Sequence, residues 1–331
     1  MTASSGDAGR EPRAILEAAA RLSLRAPSVF NTQPWRWRIA GEVMELEVDP
    51  DRRLPATDPG GRLLLLSCGG ALHHARIGLA AAGWAVTVDR LPDPDRPDLL
   101  ARLRLGARVA AGAEARILAG AISRRRTDRR AYSDRPVSEA TLTILRRVVE
   151  AQGAYLHVVP RDQVPMLGLS TEQATKTETV DPAYRAELTR WTTRPAWTGD
   201  GVPPATAVEP ALRRVPVRDF APHGAEVLPA GDDHDKGAEY AILFGLDDQP
   251  IDLLRGGEAL SALLLRATAE GLSTAPLSEA VEVAWPRYLL RELLSDVGEP
   301  FVVVRLGYVD ADRLLPATPR RSASETITFA D

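Results

Sequence analysis

The sequence predicts an α+β protein made of two similar halves in tandem, with mixed or antiparallel sheets, flanking helices and one long insertion. Three observations carry that reading. Segments of helical period alternate with short period-two runs along most of the 331 residues. Two segments, GGALHHARIGLAAAG and GGEALSALLLRATAEG, both open on Gly-Gly, carry Ala-Leu, and run eleven residues from that leucine to a helix-ending glycine, Leu72 to Gly83 and Leu260 to Gly271. From Arg161 to Asp235 the periodicity lapses in a stretch rich in Pro, Thr, Gly and Asp, a length of connection typical of lids and binding loops. Convergence of two core helices on one composition is the alternative to duplication, and the parallel order of the surrounding elements favours duplication.

The elements follow in order. Ile15, Leu16, Ala19 and Leu22 recur at helical spacing over 13–24, and Pro27 marks the end. Trp35–Ile39 and Val43–Val48 alternate apolar and polar residues across Gly41-Glu42 and read as a hairpin, with Trp35 and Trp37 assigned to the core rather than to a ligand. A mostly apolar helix over 65–82 stops at Gly83, and 85–88 and 103–105 read as strands. Ser138 is an N-cap candidate for a helix over 139–150, followed by a strand at 155–159. Within the lapse, one helix is expected from Pro182 to Trp191, capped by Asp181. Regularity returns with AEYAILFG as a strand, a buried helix ending at Gly271, and the all-apolar run FVVVRLG as a central strand. An irregular tail is expected after it. The halves are placed at 13–120 and 121–331, with the insertion at 161–235.

Composition removes several function classes. Lys and Arg number 41 against 45 Asp and Glu, a net charge of -4, so no global positive field draws in nucleic acid and any anion site must be local. The single Cys68 excludes an internal disulfide or a CxxC pair and fits a reducing compartment, so a cytoplasmic location is expected. The N-terminal MTASSGDAGREPR lacks the apolar run of a signal peptide, and Arg62, His73, His74 and Arg76 interrupt the most apolar stretch, so no membrane span is expected.

Motif by motif, GxGxxG after a strand, GxxxxGK[ST], HExxH and GxSxG are absent from the sequence. His73 and His74 diverge by roughly 100° on a helix and make an awkward metal pair, and DDHD at 232–235 reads as a solvated turn, so no metal site is expected. The run SRRRTDRRAYSDRPV is more informative. Arg124, Arg125, Arg126, Arg129 and Arg130 crowd around Thr127, and guanidinium forks with a hydroxyl suit a phosphate. A solvated basic loop is the bland alternative. EGLSTAPLSEAVEV, where a helix ends and the chain turns through Ser273, Thr274 and Pro276, can offer backbone N–H groups to a flat ligand, or can be a plain connection.

Together, APSVFNTQPW, RRTDR and GLSTAPL resemble the APSxxNxQPW, RRSxR and GLxTxPL segments of the nitroreductase family of FMN flavoproteins. The insertion and the TPRR tail are similar to its Acg-like branch of NAD(P)H nitroreductases. The resemblance covers nearly the whole chain after residue 13. In that family two chains pair with each flavin at their interface. Here APSVFN lies in one half and RRTDR with GLSTAPL in the other, so the resemblance implies an internal pseudo-dimer, monomeric in itself, with one FMN between the halves. It implies that Arg125, Thr127 and Arg129 hold the FMN phosphate, with Arg320 and Arg321 closing around it. Pro27, Ser28 and Asn31 reach the cofactor from the first half, and Pro276, Leu277, Ser278 and Glu279 lie near flavin N5.

The implied activity is NAD(P)H-driven, ping-pong reduction of a small-molecule acceptor such as a nitroaromatic or a quinone. No side chain of this chain is expected to act as acid, base or nucleophile, since the chemistry belongs to the flavin. The insertion resembles the branch's lid over the flavin. If it stays shut, the alternative function is flavin binding or sequestration without turnover.

Overall fold

The structure, a computed structural model, describes residues 10–221, 227–231, 234–309 and 315–330. In chain order it forms α1 (Arg10–Ser23), β1 (Trp35–Ala40), β2 (Val43–Val48), α2 (Arg62–Ala81), β3 (Trp84–Arg90), β4 (Leu99–Arg108), α3 (Ala113–Ile122), α4 (Glu139–Glu150) and β5 (Tyr155–Val158). The insertion carries α5 (Val164–Val180) and α6 (Pro182–Thr192). After it come β6 (Glu239–Gly245), α7 (Pro250–Ala269), β7 (Ser273–Leu277), α8 (Glu279–Glu282), α9 (Ala284–Leu293), β8 (Glu299–Gly307), α10 (Ala323–Thr326) and β9 (Ile327–Phe329).

Two sheets result, one ordered β3-β4-β2-β1-β9 and one ordered β5-β6-β8-β7. Counting strands within each half, β3-β4-β2-β1 and β7-β8-β6-β5 are the same order, and every pair is antiparallel except β1 with β9. The hairpin forms with Trp35 opposite Val48, and β8 is an interior strand, as its unbroken apolar run requires. The tail departs from expectation. Its last residues form β9, parallel to β1 with Ile327 opposite Trp37, which returns the C-terminus to the first sheet. Three residues are too few to show a period, so no pattern announced this strand.

The Gly-Gly segments mark the junction of the halves. α2 and α7 cross where a methyl group on Gly69 would collide with the Leu254 carbonyl and the Gly257 Cα, and one on Gly257 with the Leu66 carbonyl. Only residues without Cβ allow two helix backbones so close. The contact buries Leu63 and Leu66 of α2 in the core of the second sheet, and Leu254 of α7 in the core of the first. α2 is long and apolar enough to span a membrane, yet 67% of that window is buried inside the protein, which accounts for its composition as a core helix. Trp35 and Trp37 are fully buried, as expected of an alternating strand, and truncating either would cost about 3–5 kcal/mol.

The insertion is more ordered than its sequence implies. α6 starts as expected, with the Asp181 carboxylate accepting from the Ala183 N–H. α5 escapes the sequence reading because it is threonine-rich and weakly amphipathic. Thr171, Thr175 and Thr177 return their hydroxyls to carbonyls four residues back, at 3.1, 3.0 and 3.0 Å. Tertiary contacts supply what propensity lacks: Ser170 donates to the Pro286 carbonyl at 2.9 Å, and Leu167 and Ala174 are buried. Asp235, expected in a solvated turn, is instead fully buried and accepts two bonds from Arg305 Nη1, at 2.9 and 2.8 Å. Asp232 and Asp233 lie outside the described residues.

Candidate cofactor site

The loop between α1 and β1 holds three non-glycine residues in left-handed conformation, Phe30, Asn31 and Gln33, with φ of 50, 55 and 51°. Each such residue costs on the order of 1–3 kcal/mol, less for asparagine, and needs surrounding contacts to hold it. Those contacts are present. Ser28 Oγ accepts from the Gln33 N–H at 2.9 Å. Asn31 Nδ2 donates to the carbonyls of Gly201 and Pro319 at 3.0 and 3.1 Å, and its Oδ1 accepts from Arg320 at 3.1 Å. Gln33 donates to the Gly199 carbonyl at 2.8 Å and accepts from the Arg321 N–H at 3.0 Å. The loop thus fastens the insertion and the tail to the first half.

Above it opens a cleft between the halves. Pro27, Ser28, Val29 and Phe30 line one side with Leu63, Leu66 and Gly70 of α2. Gly257 and Leu260 of α7, Pro276, Ser278 and Val302 line the other, with Thr127 and Arg129 at one end. The insertion covers it with Arg218 and Phe220, and Phe220 meets Phe30 edge-on at a centroid distance of 6.2 Å. The cleft continues into a second cavity lined by Asn31, Arg125, Thr127, Arg129, Thr206, Thr318 and Arg320. An apolar slot therefore leads into a basic neck.

The neck is built for an anion. Arg125 is 5% exposed, its Nε and Nη1 have no hydrogen-bond partner, and burial with Arg126 nearby pulls it down to about 10. Arg320 is pulled to about 9 by burial and by Arg125, Arg25 and Arg126, and its Nε is also unpartnered. Among the described residues neither guanidinium meets a carboxylate. Buried cations are ordinarily paired, so two together without a counter-ion mark a place where a ligand supplies the charge. Arg129, pulled to about 10 by burial, donates to the Thr206 carbonyl at 3.1 Å and stacks over Phe220 at 4.3 Å. Thr127 bridges to Thr274, which sets the RRTDR segment beside the GLSTAPL strand.

The roof is held by a cluster of opposite sign. Arg218 Nη2 lies 2.7 Å from Glu282 and 3.3 Å from Glu178, and its N–H donates to Glu279 at 3.1 Å. Burial, with Glu282 and Glu279 adding to it against the pull of Arg218, raises Glu178 to about 9.

Known proteins agree with this geometry. No protein-family model matches the chain. Over 319 residues it is 39% identical to the Mycobacterium tuberculosis H37Rv protein named "Putative NAD(P)H nitroreductase Rv3131", covering 94% of this chain and 90% of that one. It is 35% identical over 314 residues to "Putative NAD(P)H nitroreductase acg" of the same organism, covering 94% of both. The chain belongs to the nitroreductase family. A solved structure, the FMN-dependent nitroreductase NfnB from Mycobacterium smegmatis in complex with NADPH, matches 65% of this chain and all of its own, at 17% identity and a TM-score of 0.41.

Within this nitroreductase-family chain, nine of the twelve residues singled out from sequence line the two cavities: Pro27, Ser28, Asn31, Arg125, Thr127, Arg129, Pro276, Ser278 and Arg320. The other three face elsewhere. Leu277 is buried in the core of the second sheet. Glu279 meets Arg218. Arg321 turns to Asp49 at 3.0 Å and to the Gln33 carbonyl at 3.1 Å, so its guanidinium anchors the tail. Sequence reasoning missed Phe30, Arg218 and Phe220. Arg218 and Phe220 lie in the aperiodic insertion, where nothing marks one Arg or Phe above its neighbours.

Proposed function

We propose that this chain is an FMN-dependent oxidoreductase that uses NAD(P)H to reduce small-molecule acceptors such as nitroaromatics or quinones. The observation that carries the reading is the apolar slot between the halves running into the unpaired, buried Arg125 and Arg320. FMN fits that pattern, with a flat apolar ring system at one end and a phosphate of charge about −1.5 to −2 at the other. Bound there, the flavin supplies the redox chemistry, taking hydride from NAD(P)H at N5 and, once the nicotinamide has left, passing electrons to the acceptor.

The chain's own residues bind and orient. Arg125, Arg320 and the Thr127 hydroxyl would hold the phosphate, with Arg129 at the boundary of slot and neck. Pro27, Ser28, Pro276 and Ser278 would flank the ring from opposite halves, while Leu63, Leu66, Leu260 and Val302 exclude water. The equal strand orders and the Gly69–Gly257 crossing support a duplicated chain, a monomer with halves at 13–120 and 121–331 and one FMN per chain. The buried thiol of Cys68 and the need for NAD(P)H fit the cytoplasm.

One observation favours the second reading, flavin sequestration. The insertion is docked by buried groups: Asp200 joins Arg52 at 2.8 Å and Arg194 at 2.7 Å, and the Glu187 carboxylate accepts from the Thr57 N–H at 2.8 Å. Stopped-flow bleaching of the bound flavin by NADPH and by NADH decides between the readings, using intact protein and protein shortened between Thr198 and Glu209. An oxidoreductase gains less than about tenfold in bimolecular rate on shortening, a gating term below roughly 1.4 kcal/mol. A gain of several orders of magnitude would mean that the intact chain hides its flavin.

A further inference from the structure

The basic neck does not end at the cofactor phosphate. Beyond it a third cavity opens outward, lined by Arg25, Arg125, Arg126, Thr318 and Arg320 between the end of α3 and the tail. Arg125, Thr318 and Arg320 line this cavity and the inner one, so the two are contiguous. Arg25 and Arg126 belong to the outer cavity and not to the inner.

Four guanidiniums therefore converge on one short passage. Arg125 is depressed by burial and then by Arg126, Arg126 by burial and then by Arg25, and Arg320 by burial and then by Arg125, Arg25 and Arg126. Among the described residues none of the four pairs with a carboxylate. Arg126 Nη1 is satisfied by the carbonyls of Ser123 and Arg125, both at 2.8 Å, but its buried Nε has no partner. A phosphate monoester brings a charge of only about −1.5 to −2, which leaves roughly two positive charges uncompensated after FMN is bound. Those two sit one step further out, where a second phosphate esterified to the first would lie.

We propose that Arg25 and Arg126 form a second phosphate subsite, so that the chain accepts a flavin carrying a diphosphate, FAD, as well as FMN. The inference rests on the flavin reading of the inner cavity. The diphosphate threads outward past Thr318, with its inner phosphate on Arg125 and Arg320 and its outer one between Arg25 and Arg126. The adenosine leaves toward solvent at the outer mouth, where Arg25 is exposed. No covalent step is involved, and the inner phosphate keeps its partners whichever flavin is bound.

The test is calorimetric titration of flavin-free protein with riboflavin, FMN and FAD, in the wild type and in Arg25→Ala/Arg126→Ala. Thermal melts of both flavin-free proteins check that they are folded. Wild-type affinities for FMN and FAD are expected within about tenfold of each other, and riboflavin is expected to bind far more weakly than either. The double substitution removes one or two charge-assisted bonds to the outer phosphate and lowers FAD affinity by roughly ten- to a hundredfold. FMN affinity stays within about threefold, and Arg126→Lys, which keeps the charge, recovers part of the loss. Equal losses for FMN and FAD, or FMN binding without FAD binding, overturn the second subsite and leave the flavin reading intact. Tight binding of riboflavin, or no binding of any flavin, overturns the flavin reading and the subsite with it. An effect reproduced in full by inorganic phosphate competing equally against FMN and FAD assigns the outer arginines to a free anion and also overturns the proposal.

Discussion

Replacing Arg125 by methionine separates a ligand site from an ordinary basic loop, because the two give opposite signs in the flavin-free protein. The side chain is 5% exposed and unpaired, and burial lowers its pKa from 12.5 to about 10. That depression corresponds to roughly 3 kcal/mol charged against the cation at neutral pH. Methionine keeps much of the volume and removes the charge, so the flavin-free protein should gain up to about that amount. With an unfolding entropy of about 2.1 cal/mol/K per residue, the melting temperature should rise by roughly 2–4 °C. FMN binding should weaken in the opposite sense. Loss of a charge-assisted contact to phosphate costs about 1.5–3 kcal/mol, or roughly ten- to a hundredfold in affinity. Calorimetric titration with FMN and scanning fluorimetry of flavin-free protein give the two numbers. A less stable flavin-free variant with unchanged FMN affinity would refute the reasoning, since Arg125 would then be a structural cation and the phosphate would lie elsewhere.

Three further outcomes follow from the geometry. Gly257→Val places a side chain against the Leu66 carbonyl and should cost at least about 3 kcal/mol, lowering the melting temperature and the flavin content together; an unperturbed protein would mean that the helices do not cross there. Asn31→Ala removes the ties to Gly201, Pro319 and Arg320 and puts alanine at φ 55°, a loss of about 2–3 kcal/mol that should appear as faster amide exchange at Gly199 and Gly201, and unchanged exchange would contradict the fastening role. The docking of the insertion should weaken as pH rises. Glu178 is raised to about 9 from its ordinary 4.5, so between those values the docked state holds a proton that the undocked state lacks, and each pH unit costs docking up to about 1.4 kcal/mol. Below 4.5 and above 9 the dependence vanishes. Exchange of insertion amides measured from pH 6 to about 9 should accelerate, after correction for intrinsic rates, and Glu178→Gln should flatten the trend; the groups that set it are Arg218, Glu279, Glu282 and Tyr184.

Much of this was legible in the sequence because the physics was local. Gly-Gly in both long helices is read directly as close backbone approach, and the structure uses Gly69 and Gly257 in that way. Trp35 and Trp37 alternate with arginines and are buried while Arg36 and Arg38 face out. Five arginines around Thr127 announce an anion, and Arg125 is the one left unpaired and buried. What was not legible depends on tertiary partners. α5 is held by side chains returning to its own backbone and by packing, neither of which has a period. Arg218 becomes a roof only through Glu178, Glu279 and Glu282, three residues distant in sequence. Asn31 and Gln33 answer to the carbonyls of Gly201 and Gly199, about 170 residues away. Arg320 and Arg321 look alike in TPRR, yet one faces the neck and the other Asp49.

The account claims one flavin between two halves of one chain, reducible by NAD(P)H. Anaerobic titration of the purified, flavin-loaded protein with NADPH, and separately with NADH, tests this in a single experiment by following flavin absorbance against moles of nicotinamide added per mole of chain. The account predicts complete bleaching with at least one of the two nicotinamides, with an end point at about one equivalent per chain, since a two-electron flavin consumes one hydride. An end point near two equivalents would place a flavin in each half, and no bleaching with either nicotinamide would show that the bound flavin takes no part in NAD(P)H oxidation.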